Sequence, residues 1–335
     1  MNFDHNRTFL KEKIGRGVSA SAFDDLALEV FHFQYKYNAF YREYCSLIGK
    51  DSANISKISD IPFLPIPFFK NNILKTGDWH TQTIFSSSGT TGAVTSAHHV
   101  RDIEFYKQIA RQGFEQHYGS ISDYCILGLL PSYLERKGSS LVAMVDDFID
   151  LSNYNQSGFF LNNLDKLFET LSYNKQHLIP TLLIGVSFAL LDFVEQYQLD
   201  FPDLIIMETG GMKGRRREMI REELHNDIKQ GFNTQHIHSE YGMTELFSQG
   251  YSKKEGIFHP IASLKILGRE INDPLSISVP NGRLSALNII DLGNLDTCSF
   301  IATDDLGRVY SDGNFMVLGR LDNSDIRGCN LLIIN

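Results

Sequence analysis

Apolar residues recur at helical spacing early in the chain, where Phe23, Leu26, Ala27, Val30 and Phe31 share one face. Ser21 offers a cap before that face and Gly49 a stop after it, so the pattern predicts a single helix over residues 21–47. Next comes DIPFLPIPFF, in which Pro62, Pro65 and Pro67 keep the chain extended. Phe63, Leu64, Phe68 and Phe69 demand burial there, which predicts an arm laid across a domain surface. From residue 80 to 240 the pattern alternates. Apolar runs (TQTIF, YCILGLL, IPTLLIG, LIIMETGG) separate helix-like stretches over 102–118, 161–176, 187–197 and 213–230. That alternation predicts an α/β fold with βαβ units and a mostly parallel sheet. From residue 257 to 319, short runs bounded by turns predict a small antiparallel β subdomain. The expected division is an N-terminal helix and Pro-rich arm at 1–79, an α/β core at 80–256, and a β-rich subdomain with a C-terminal tail at 257–335.

Composition narrows the class. Of 335 residues, 42% are hydrophobic, enough to fill a core and to exclude disorder for the bulk of the chain. With 31 Lys and Arg against 40 Asp and Glu, the net charge of −9 argues against a general binder of nucleic acid or anionic membranes. Cys45, Cys125, Cys298 and Cys329 lie far apart without a CxxC pair, which points to reduced thiols and not to a disulfide framework or zinc site. The charged N-terminus has no apolar run of a signal peptide. The apolar run at 178–191 holds Pro180 and Gly185 and falls short of the ~18 residues that a membrane span needs. A soluble cytoplasmic protein is expected.

Three segments carry chemistry. FSSSGTTG, residues 85–92, gathers hydroxyls and freely oriented amides in one turn after a predicted strand, as a phosphate-binding loop requires. It lacks the GK[ST] of the ordinary P-loop, and a polar hairpin turn is the plainer alternative. EYGMTE, residues 240–245, offers an aromatic face, a hydroxyl and two carboxylates at the C-terminal end of a strand, where ligands sit in open α/β sheets. In the stretch 302–328, Asp305 suits paired sugar hydroxyls and Arg320 suits phosphate or ribose oxygens. An exposed Asp–Arg turn of little consequence is the alternative.

The order of these segments is more specific than any one of them. FSSSGTTG, GGMKGR, EYGMTE, TDDLG and LGRLD in succession resemble the adenylate-forming superfamily of acyl ligases. ETGGMKGRRREM, SEYGMTELFSQ and DIRGC resemble the LuxE-type acyl-protein synthetases within it, with phenylacetate–CoA ligases more distant. The resemblance spans roughly residues 55–333. It implies a large adenylate-forming domain, with ATP and Mg²⁺ as cofactors and no C-terminal lid domain. Ser86, Ser87, Ser88, Gly89, Thr90, Thr91 and Gly92 would hold the β- and γ-phosphates. Gly210, Gly211 and Met212 would border the adenine, and Tyr241 would stack on it. Thr244 would touch the α-phosphate and Glu245 would bind Mg²⁺, while Asp305 would take the ribose hydroxyls and Arg320 brace the same end.

The cation that would serve in place of a lid lysine is left among Lys213, Arg215, Arg216 and Arg217, against the alternative of a solvated basic helix face. Residues 131–141 are an acyl-pocket loop by family position, and Phe148, Phe159 and Phe160 are expected in the core. His98 and His99 point to opposite faces of a strand and form no metal site; one of them is open to the substrate. His236 and His238 are expected on one strand face as packing residues. The resemblance also implies acylation of a cysteine near the C-terminus, Cys329, whose alternative role is a small buried filler. The activity implied is formation of an acyl-AMP from a carboxylic or fatty acid and transfer to a thiol. The partner is then an acyl reductase or, alternatively, coenzyme A or an acyl carrier protein. A nucleotide-binding scaffold without catalysis is the third alternative.

Overall fold

The computed structural model describes residues 2–87, 95–130, 138–210, 219–278 and 281–321. Helix α1 (Phe3–Gly15) opens at Asn2, whose side chain accepts from the His5 amide at 2.9 Å. The single helix expected over 21–47 is two, α2 (Phe23–Tyr37) and α3 (Ala39–Leu47). Asn38 leaves helical geometry between them, at φ −100° and ψ 102°, because its side chain is used twice. Its Oδ1 accepts from the Tyr41 amide at 3.0 Å and caps α3, and its Nδ2 donates to the Thr297 carbonyl at 2.9 Å. Ser21 makes no cap, and Ala22 leads into α2 without a side-chain bond. Gly49 does end α3: its φ of +72° lets the Gly49 and Lys50 amides return to the Ser46 and Cys45 carbonyls at 3.0 and 2.9 Å.

The proline arm is extended only in part. Strand β1 (Leu64–Pro65) pairs in parallel with a distant strand, Leu64 opposite Ile301, and Pro67 then leads into the short helix α4 (Phe68–Asn71). Phe63, Leu64 and Phe69 are buried as the pattern demands. Strands β2 (Thr83–Ser86) and β3 (Ala97–Val100) make a separate antiparallel ribbon, so the TQTIF run does not join the parallel sheet. An apolar run marks a strand but does not name its neighbour.

From there helices and strands alternate: α5 (Ile103–Tyr118), β4 (Cys125–Leu129), α6 (Ser140–Leu151), β5 (Gly158–Phe159), α7 (Leu164–Gln176), β6 (Thr181–Val186), α8 (Ser187–Gln196), β7 (Ile205–Thr209), α9 (Arg221–Phe232) and β8 (His238–Tyr241). Neighbours in the order β5-β4-β6-β7-β8 run parallel. Strands β4 and β6 are buried at every position, which explains their continuous apolar runs. Gly128 of β4 sits against Val145 of α6, and Gly185 of β6 against Leu190 of α8. Gly128 is in register with Ile184, so the two glycines face opposite ways and α6 and α8 cover opposite faces.

Beyond β8 the pairing turns antiparallel through β9 (Gly250–Ser252), β10 (Ile257–Pro260), β11 (Leu264–Arg269), β12 (Ile277–Ser278), β13 (Leu284–Asp291), β14 (Phe300–Val309) and β15 (Phe315–Arg320). Their spatial order from β8 is β9-β10-β15-β14-β13-β11-β12, continuous with the parallel strands, and β14 also takes β1. Phe300 of β14 packs against Phe31, Tyr41 and Phe63, so the N-terminal helices are built onto this part of the sheet. Among the described residues no helix is long and apolar enough to cross a membrane.

Candidate functional site

A cavity of about 1510 Å³ opens where β4, β6, β7 and β8 end, and β14 and β15 contribute to its far wall. Ser86, Ser87, Gly210, Tyr241, Thr244, Glu245, Asp305 and Arg320 all line it. The remaining residues implied by the resemblance, Ser88, Gly89, Thr90, Thr91, Gly92, Gly211, Met212, Lys213 and Cys329, lie outside the described residues, as do Arg215 to Arg217 and residues 131–137.

Tyr241, Asp305 and Arg320 are joined. The Tyr241 hydroxyl donates to Asp305 Oδ2 at 2.8 Å, and Arg320 Nε stands 3.3 Å from Oδ1. Register across the β14–β15 pair places Asp305 opposite Arg320. Asp305 is buried, which pushes its carboxyl up against the opposing pull of Tyr241 and Arg320, whereas the Arg320 side chain is 70% exposed and open to the cavity. The Tyr241 ring packs edge-on to Phe315, with centroids 5.2 Å apart. Gly210 has φ +68°, and its carbonyl accepts from Ser187 at the start of α8. Ser87 closes the mouth of the β2–β3 ribbon by accepting from the Ser96 amide at 3.0 Å.

The turn after β8 is held from behind. His98 of β3 is buried and bridges Thr244 to Thr297, with Nδ1 at 3.0 Å from the Thr244 carbonyl and Nε2 at 2.9 Å from the Thr297 hydroxyl. A carbonyl partner places the proton on Nδ1, and burial lowers the imidazole to about 4, so His98 is neutral. Asn294 Nδ2 donates to the Glu245 carbonyl at 2.7 Å. Asp291 accepts from the Phe247 and Ser248 amides at 2.7 and 2.9 Å. The Glu245 carboxyl is itself buried; desolvation raises it, and Ser96, Arg320 and Lys70 draw it back. This arrangement presents a carboxyl and a hydroxyl to the cavity on a turn with little freedom.

His98 therefore faces the turn, and its neighbour His99 is half-buried beside Thr81 at 3.1 Å. His236 and His238 do not share a strand face: His236 precedes β8 and lines the cavity, while His238 bonds the Tyr118 hydroxyl at 3.0 Å. Phe148 is buried as expected, but Phe159 and Phe160 are only partly so. Sequence inspection missed Asp291 and Asn294, and it missed Glu208 at the end of β7. Glu208 accepts from Ser187 at 3.2 Å, with His225 Nε2 at 3.7 Å and Arg221 Nε at 3.9 Å. The signal for Glu208 was present: it is the first charge after the apolar LIIM, at the ligand end of a strand.

Comparison with known proteins adds what geometry alone does not. Residues 18–118 match the family model described as acyl-protein synthetase, LuxE. A long-chain-fatty-acid–luciferin-component ligase of Photorhabdus luminescens is 38% identical over 68 residues, which are 20% of this chain and 58% of that protein. Among solved structures, an open conformation of 2-hydroxyisobutyryl-CoA ligase in complex with 2-HIB-AMP and CoA aligns over 92% of this chain and 77% of its own, at TM-score 0.66 and 11% identity. ATP-bound MatB from Rhodopseudomonas palustris aligns over 71% of this chain and 47% of its own, at TM-score 0.53 and 14% identity. O-succinylbenzoate coenzyme A synthetase from Bacillus subtilis, in complex with ATP and magnesium ion, aligns over 72% and 50%, at TM-score 0.51 and 17% identity. The match thus spans 58% of the luciferin-component ligase and about half of MatB and of the Bacillus synthetase. The chain is similar in sequence to LuxE acyl-protein synthetases over residues 18–118, and its fold is similar to those of 2-hydroxyisobutyryl-CoA ligase, MatB and O-succinylbenzoate coenzyme A synthetase.

Proposed function

We propose that the protein is a ligase that activates a carboxylic acid with ATP. The acid's carboxylate attacks the α-phosphorus, acyl-AMP forms, pyrophosphate leaves, and the acyl group passes to a thiol. The observation that carries this reading is the convergence of Thr244, Glu245 and the Tyr241–Asp305–Arg320 cluster on one cavity at the ligand end of the sheet. Two anions meet in that reaction, so catalysis rests on positioning and charge neutralisation. In this reading Ser86 and Ser87 reach the outer phosphates together with Ser88 to Gly92. Gly210, with Gly211 and Met212, borders the adenine on which Tyr241 stacks. Thr244 contacts the α-phosphate, Asp305 takes the ribose hydroxyls, and Arg320 braces them.

Magnesium suits the donors present. Among the described residues no three His, Cys, Asp or Glu side chains assemble into a cage, so a cation at Glu245 would draw its other ligands from phosphate and water, as Mg²⁺ does. Bound there, it would neutralise phosphate charge. By analogy with the Photorhabdus relative the acid is a long-chain fatty acid. In this reading the protein works in the cytoplasm, and the acyl acceptor is Cys329 on the way to a reductase. Lys213 is the proposed adenylation cation. Delivery to coenzyme A is the second reading, favoured by the ligase solved with CoA. The deciding assay is acid-dependent exchange of labelled pyrophosphate into ATP across a screen of carboxylic acids. Exchange with one class of acid supports the ligase, and silence across the screen overturns it. Mass analysis after turnover distinguishes an acylated protein from acyl-CoA.

A further inference from the structure

The cavity has a second end. On the α6 face of the sheet, Leu130, Leu141, Val142, Met144 and Val186 give it an apolar wall. Register across β6, β7 and β8 sets Val186, Thr209 and Glu240 in a row on that face. Glu240 therefore projects away from Tyr241, its neighbour in the strand, and away from the Asp305–Arg320 cluster. It is buried, yet it lines the cavity. Thr209 donates to its Oε2 at 2.6 Å. The other oxygen, Oε1, lies across Gly242, where an added Cβ would stand only 2.3 Å away. Gln249 approaches the same glycine, its Cγ 3.7 Å from that Cβ position. Gln249 Nε2 is used on the Phe247 carbonyl at 2.9 Å, but its Oε1 is buried without a partner and the residue is 3% exposed.

A pocket for a plain alkyl chain would carry neither group. Covering them with methylenes takes water from Glu240 and leaves the buried Gln249 oxygen still without a partner, returning a hydrogen bond to neither. We infer that the acyl pocket selects a carboxylic acid whose chain bears a hydrogen-bonding hydroxyl or amino group, read by Glu240 and Gln249 against the apolar wall. This inference rests on the ligase reading and refines its substrate class. A hydroxyl meets either protonation state of the carboxyl, which burial pushes up to about 7: it donates to the anion and accepts from the acid. An amine pairs with the anion. Gly242 belongs to the same device, since any side chain there would displace the carboxyl.

The test compares straight-chain alkanoic acids with the same chains carrying a hydroxyl or an amino group at successive carbons, and benzoic with hydroxybenzoic acids. Pyrophosphate release and thermal stabilisation of the full chain by each acid are both read. The wild type should prefer its best substituted acid over the unsubstituted one by ~10²-fold or more in kcat/KM. Glu240→Leu should bring that ratio close to unity by raising use of the unsubstituted acid. Gln249→Leu, or the near-isosteric Glu240→Gln if the leucine variant does not fold, should lower the ratio without abolishing release. Unsubstituted acids used as well as substituted ones, or a ratio untouched in the variants, would overturn the selectivity and leave the ligase standing. Stabilisation by substituted acids alone, without pyrophosphate release from any, would keep the pocket and overturn the ligase. No stabilisation and no release would overturn both.

Discussion

At the scale of single residues, the proposed metal carboxylate Glu245 gives the sharpest test. Glu245→Gln keeps the shape and the Asn294 bond to the backbone but removes the charge that a hard cation needs. Pyrophosphate release should fall by ~10²-fold or more while the melting temperature holds. Release at the wild-type rate would remove Glu245 from the metal site. His98 gives a pH signature. Its folded value near 4 lies below the unfolded 6.5, so its contribution to stability is full above 6.5 and is lost as pH falls through 4. That contribution amounts to at most ~3 kcal/mol. Denaturant titrations at stepped pH should show a shallower acid loss in His98→Gln than in the wild type, and equal slopes would refute the assignment. Among the thiols, Cys45, Cys125 and Cys298 are buried, and burial pushes Cys45 and Cys298 up to about 12, so none of them is a ready nucleophile. After turnover, a hydroxylamine-sensitive acyl mass should map to Cys329 and vanish in Cys329→Ser; label elsewhere would sink the acyl-carrier role. The gathering of Tyr241, Asp305 and Glu245 at one cavity was legible because each lies in its own short motif. His98, Asp291 and Asn294 were not, because each acts on a turn dozens of residues or more away.

At the scale of elements, legibility followed the strength of local signals. Helix α5 was readable because Asp102 caps it and Phe105, Tyr106, Ile109, Ala110, Gly113 and Phe114 make a continuous buried stripe. Helix α1 was not, since only Leu10 and Ile14 are buried along its charged length. Helix α6 hid because its buried residues Val142, Ala143, Met144 and Val145 run consecutively and blur any stripe, and the break at Asn38 is imposed by Thr297, far along the chain. Asn38 is thus both a cap and a strut. Asn38→Ala should cost ~2 kcal/mol, from the lost cap and the lost bond to the Thr297 carbonyl, which then keeps only Thr76, and should also slow pyrophosphate release. Asn2→Ala, which removes only the exposed cap of α1, should cost about 1 kcal/mol or less and leave catalysis alone. Equal effects of the two substitutions in paired unfolding and activity assays would deny Asn38 its second role.

At the scale of the whole molecule, the segment between β13 and β14 is where distant parts meet. Arg7 reaches Asp296 at 2.6 Å, Gln34 reaches the Asn294 carbonyl at 3.0 Å, and Thr76 reaches the Thr297 carbonyl at 2.6 Å. From the other side the same segment holds the turn that bears Thr244 and Glu245. Synthesis on the ribosome turns this geometry into a schedule. The first third of the chain emerges with its buried donors unpaired and its arm without a strand to join, and it must wait until residues 294–301 are made. Its helices, although local in sequence, are completed late. A nascent chain stalled before Asn294 should leave α2 and α3 open to protease, and lengthening it past Ile301 should protect them together with the turn at Glu245. Protection of α2 and α3 in the shorter chain would show that they close without that segment. The turn that bears Thr244 and Glu245 and the N-terminal helices are then born apart and finished in one step.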